Sequence, residues 1–93
     1  MPVIVHIPGA LREFTAGRAT VEIAFSIGTV ADAFTLLWTL HPGLRDRVVN
    51  EQGQVRQHIN IFVGNENIRY TGGLTSQVAD GSEISTVPAV SGG

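Results

Sequence analysis

"TVADAFTLLWTLHPG", Thr29 to Gly43, is the stretch whose reading decides the fold. Thr29 with Asp32 three positions later is a capping-box pattern, in which two side chains satisfy amides at a helix N-terminus. Val30, Ala33, Phe34, Leu37 and Leu40 follow at helical spacing and form one apolar stripe. Pro42-Gly43 stops the helix, because proline disfavours the helical conformation in the residue before it. Leu36 and Trp38 flank the stripe. Either the segment from Gly43 to Gln57 folds over them, which is the expectation, or they form a contact surface. An amphipathic helix with one apolar stripe needs a second layer to bury it.

Strand patterns supply that layer on either side. "VIVHI" alternates with period two: Val3, Val5 and Ile7 share one face, Ile4 and His6 the other. After Pro8-Gly9 and the connector "LREFTAG", "RATVEIAF" alternates again through Val21, Ile23 and Phe25, so the two runs read as a hairpin with a long connection. Beyond the helix, "LRDRVVNEQGQVRQ" is polar and glycine-broken, and reads as a short helical turn followed by a loop. "HINIFV" reads as a strand with Ile59, Ile61 and Val63 inward and Asn60 and Phe62 outward. "GNEN" is a turn, and Ile68 to Tyr70 a candidate short strand. "GGLTSQVADG" reads as an irregular crossing that dips Leu74 and Val78 into the core. "EISTV" closes the order with Ile84 inward and Val87 outward. Thr86 takes the inward parity and needs a hydrogen-bond partner there. The order β-β-α-β-(β)-β makes a two-layer α+β sandwich, with one main helix on one face of a mixed four- to five-stranded sheet. The other face is left to solvent or to a partner.

Composition narrows the function. The 93 residues suit one domain, 43% are hydrophobic and 15% charged, and the net charge is −2. Without a basic run or aromatics interleaved with Arg, nucleic acid is not the expected partner. There is no Cys, which excludes disulfides, Cys-zinc sites, thiol nucleophiles and Cys-ligated clusters. All six basic side chains are Arg. "MPVIVHIPG" lacks the pattern of a signal peptide and no apolar run is long enough to span a membrane, so the expectation is a cytoplasmic protein without a membrane partner. His6, His41 and His58 are scattered without metal-ligand spacing, and no metal site is expected. "GGL" at Gly72 to Leu74 lacks the Lys and following helix of a phosphate loop.

The β-β-α-β-β order, together with "NENIRYTGGL", "ADGSEI" and "PAVSGG", resembles the ubiquitin-like β-grasp sulfur carriers of the MoaD/ThiS type, most closely the CysO type that serves cysteine biosynthesis. The motifs cover Ile59 to Gly93 well. The first half matches in element order and in "GTVADAF". The resemblance implies residues 1–87 as the β-grasp domain and 88–93 as a flexible tail. It implies that the carboxyl of Gly93 is adenylated by an E1-like adenylyltransferase and sulfurtransferase, using ATP and Mg²⁺, and converted to a thiocarboxylate. A pyridoxal-phosphate cysteine synthase would then consume the sulfur, and a zinc metalloprotease would release the cysteine after Gly93. Those cofactors belong to the partners, none is bound by this chain, and no catalytic side chain is expected in it.

The residues of the tail suit such a role. Ala89 to Gly93 can reach about 17 Å when extended. Gly92 and Gly93 can enter a narrow channel because they lack Cβ. Pro88 stiffens the exit, Val90 offers an apolar anchor, and Ser91 has no base arranged around it. Phe62 and Val87, outward by parity, join His6 on one sheet face as a candidate partner patch, with Arg69 as a candidate rim charge. The absence of Cys removes any internal thiol that could misdirect sulfur. Other readings are a molybdopterin synthase small subunit, a thiamin or tRNA sulfur donor, a protein modifier attached through Gly93, and a plain interaction module.

Overall fold

The structure is a computed structural model that describes residues 2–24 and 27–88. Strand β1 (Val3–His6) is followed by a 3-10 helix (Gly9–Thr15), then β2 (Thr20–Ile23) and β3 (Ile27–Thr29). Helix α1 spans Val30–Leu40 and α2 spans Pro42–Val48. Strands β4 (Ile59–Val63), β5 (Glu66–Asn67), β6 (Gln77–Ala79) and β7 (Glu83–Pro88) complete the chain. The main sheet has the order β2-β1-β7-β4-β5, with β1 and β7 parallel and the other neighbours antiparallel. It is the mixed five-stranded sheet of a β-grasp fold, and the helices cover one face.

Helix α1 begins where the capping box places it. Thr29 Oγ1 accepts from the Asp32 N–H at 3.2 Å, and Asp32 Oδ2 accepts from the Thr29 N–H at 3.0 Å. Val30, Ala33, Phe34 and Leu37 are buried against Val3, Val5, Ile7, Ile61 and Ile84. Each of these side chains apart from Ala33 is worth about 1.5–3 kcal/mol of transfer free energy. Leu40 departs from the expected stripe and is 54% exposed. It is the last residue of α1, and the next turn belongs to α2, where Leu44 and Val48 continue the core. Pro42 therefore ends one helix and opens the next, its missing N–H harmless at a first helical position. The expected short turn after Gly43 is thus a seven-residue helix. Val49 and Val55 then form a bridge across the polar loop.

Trp38 is half-buried, packs against the core and lies 5.0 Å from the Phe34 ring. Arg45, Val49 and Gly53 wall the same cleft, so the segment after α1 does fold toward Trp38. Leu36 stays 38% exposed.

Two further expectations change. The short strand lies at Glu66–Asn67, and Ile68–Tyr70 is a 3-10 turn. Asn67 Oδ1 accepts the Arg69 N–H at 2.9 Å, which turns the backbone out of the ladder immediately after β5. The preceding two-residue turn needs Gly64 at φ +61°, as a hairpin turn with glycine in first position does. The crossing from Gly72 to Gly81 is not wholly irregular, because β6 pairs with β3 in a second, two-stranded sheet. Val78 is fully buried there, and Leu74 is partly so. Strand β2 is shorter than the alternation suggests, and Phe25 lies outside the described residues. Thr86 is 3% exposed, and its hydroxyl donates to the His6 carbonyl at 3.1 Å. The inward threonine thus finds the partner its parity requires.

Candidate functional site

Period-two parity and strand register together build the uncovered face. One row crosses the whole sheet: Thr20, His6, Ser85, Phe62 and Asn67 sit on adjacent strands in register. A second row pairs Val87 with Asn60, and a third sets Glu22, Ile4 and Glu83 side by side. His6, Phe62 and Val87 are thus brought together, Val87 being 43% exposed and the other two half-buried. His6 Nε2 meets Glu83 Oε1 at 2.6 Å. Asn67 Nδ2 donates to Asn60 Oδ1 at 3.3 Å beside Phe62. Phe62 and Val87 are diagonal neighbours and form a small apolar strip, with Ile4 set apart from it beyond His6, Ser85 and Glu83, an arrangement that suits contact with another protein.

The strip lies at the root of the C-terminal segment. Strand β7 continues through Pro88, which pairs with Ile59, one residue beyond the boundary expected at Val87. From the row of Ser85 to Pro88 is about 10 Å of strand. Whatever docks on Phe62 and Val87 therefore stands beside the start of the last five residues. Those residues, Ala89, Val90, Ser91, Gly92 and Gly93, lie outside the described residues.

Arg69 belongs elsewhere. It is exposed in the turn after β5 and lines a cleft of about 220 Å³ with Val55, Arg56, Ile59 and Ile61. Ile59 and Ile61 point to the helix side of the sheet, so Arg69 stands apart from the strip. The Glu83 partner of His6 was not foreseen as a site feature. It depends on the parallel pairing of β1 with β7, elements more than seventy residues apart. His41 lies at the junction of α1 and α2, and His58 precedes β4. Among the described residues no group of three or more His, Asp or Glu is placed to hold a metal ion. None of the described helices is long and apolar enough to cross a membrane.

A family model described as the ThiS family matches residues 5–93. The chain belongs to the ThiS family. Its relatives include the sulfur carrier protein CysO of Mycobacterium tuberculosis, 34% identical over 95 residues that cover all of both chains. The small archaeal modifier protein 1 of Haloferax volcanii is 35% identical over 79 residues, covering 84% of this chain and 86% of that one. Among solved structures, a chain in the Amycolatopsis orientalis BexX/CysO complex superposes with a TM-score of 0.88 at 36% identity, covering 98% of this chain and 99% of that one. This ThiS-family chain is thus one of the small sulfur carriers and ubiquitin-like modifiers. The family consists of small sulfur carriers, not catalysts.

Proposed function

We propose that this chain carries sulfur as a thiocarboxylate on Gly93 and delivers it for cysteine biosynthesis. The observation that carries the reading is the similarity to CysO over the whole of both chains, taken with the Gly92-Gly93 pair of this sequence. A terminal carboxyl has a pKa near 3.3–3.7 and is an anion at neutral pH, a poor electrophile. An E1-like adenylyltransferase would join it to AMP, with ATP and Mg²⁺ consumed and pyrophosphate released. Sulfide or a persulfide sulfur then displaces AMP; in the persulfide case a second thiol frees the –C(=O)S⁻ group. A pyridoxal-phosphate cysteine synthase and a metalloprotease would follow, as in the CysO-type scheme. In this reading the chain's own part is recognition: the patch of Phe62, Val87 and His6 holds the activating enzyme while Ala89 to Gly93 enter its active site, with Pro88 held in β7 at their root.

Intact mass after incubation with the activating enzyme tests the first step. One oxygen-for-sulfur exchange is expected, and none in a chain lacking Gly93; charging that survives that deletion overturns the proposal. Incubating the charged chain with O-phosphoserine and the cysteine synthase tests the second step, where a cysteinyl adduct on Gly93 is expected. The likeness to small archaeal modifier protein 1 favours one other reading, attachment through Gly93 to lysines of other proteins. Its signature is a ladder of higher-mass conjugates that disappears when Gly93 is removed. Having no Lys, the chain cannot build isopeptide-linked chains on its own side chains.

A further inference from the structure

The sheet ends on one side at β2, whose outer edge has no neighbouring strand among the described residues. Register and one bond fix which groups that edge presents. The Ile7 N–H donates to the Ala19 carbonyl at 2.8 Å, so Ala19, Val21 and Ile23 direct their amides toward β1. Thr20 and Glu22 alternate with them, so their N–H and C=O groups point away from the sheet. No proline or bulge blunts this edge, and its four residues include one charge, Glu22. Arg18 precedes it, held in place by its N–H on the Thr15 carbonyl and its C=O on the Thr15 hydroxyl. Beside the strand, next to the end of α1, lies an open hollow of about 510 Å³ lined by Arg18, Thr20, Val21, Glu22, Leu40 and His41. Leu40 is the side chain that the helical stripe ought to have buried.

We propose that β2 is a self-association edge, at which a second copy of this chain adds its own β2 antiparallel about a two-fold axis through Thr20. The charge pattern selects this occupant. Arg18 and Glu22 stand two residues to either side of Thr20, both exposed and both lining the hollow. Antiparallel self-pairing sets each Arg18 across from the second copy's Glu22, whereas parallel pairing would oppose like charges. The two Thr20 residues exchange a reciprocal pair of N–H···O bonds, while the Arg18 backbone stays bound to Thr15 and only its side chain takes part. Such an axis stands perpendicular to a continuous sheet, so both α1 helices lie on the same side of it. The two hollows then meet, and each Leu40 is covered by the other copy. Strands β7 and β4 lie away from the paired edge in each copy, so the face that carries Phe62 and Val87 stays uncovered in the dimer. Nothing in this depends on the sulfur chemistry, and its test reads only the protein itself.

Sedimentation velocity of the full chain, diluted from about 1 mM to about 1 µM, is expected to show reversible monomer–dimer exchange. Amide exchange at Thr20 and Glu22 should slow as concentration rises. Glu22→Arg and Arg18→Glu each place like charges across the axis twice and are expected to weaken the dimer about tenfold. Combining them restores opposite pairs and should return the dissociation constant to within about threefold of the parent. Thr20→Pro removes an N–H that β1 does not use and should abolish the dimer with the melting curve retained. If that variant loses its fold, the charge-reversal pair decides alone, since both side chains are on the surface. A chain monomeric at every concentration overturns the proposal, and so does a dimer indifferent to both charge reversals.

Discussion

Ile84 and Val87 sit three residues apart on β7 and face opposite sides of the sheet, which makes a sharp test of the architecture. Ile84 is fully buried, in register with Val5 on one side and Val63 on the other, whereas Val87 is 43% exposed. Truncating a buried Ile to Ala costs about 2–5 kcal/mol through lost transfer energy and the cavity left behind. For 93 residues, whole-chain stability at about 0.05–0.15 kcal/mol per residue is about 5–14 kcal/mol. Ile84→Ala should therefore remove a large share of the total and lower the melting temperature by at least about 10 °C. Val87→Ala leaves no cavity and should cost less than about 1 kcal/mol. Urea unfolding followed by Trp38 fluorescence measures both, since the single Trp is half-buried against Phe34. Equal costs for the two variants would refute the assignment of the sheet's faces, and with it the placement of Val87 on the uncovered face.

Thr29→Ala should cost about 1 kcal/mol, because it leaves the Asp32 amide without its cap. Combining it with Asp32→Ala should cost less than the sum of the single changes, since the two side chains form one reciprocal unit. Phe62→Ala with Val87→Ala should raise the KM for charging by the activating enzyme about tenfold or more with kcat kept, as loss of two central apolar contacts would. An unchanged KM would remove these residues from the interface.

The elements that depend on near neighbours were legible in the chain. The capping box, the helix stop at Pro42 and the alternation in β1 and β4 act over a few residues, so reading them needed no knowledge of the rest. The candidate strip was half legible for the same reason: parity put His6, Phe62 and Val87 outward, but could not say which strands lie side by side. Glu83 joined His6, and Arg69 left the group, only once β7 was set between β1 and β4 and the chain turned at Asn67. Leu40 was misread because the period of a helix continues past the point where its partner layer ends.

The sequence alone therefore determined the helix, its cap, the inward and outward faces of the main strands and the Gly-Gly ending that the proposed chemistry uses. Tertiary structure decided the strand order, the His6–Glu83 contact, the second small sheet and the open edge at β2. The reason is physical. Capping and periodicity are local, fixed by bonds and spacings within a few residues, while strand order and edge exposure depend on which distant segments pair, and that is settled by packing the whole core at once.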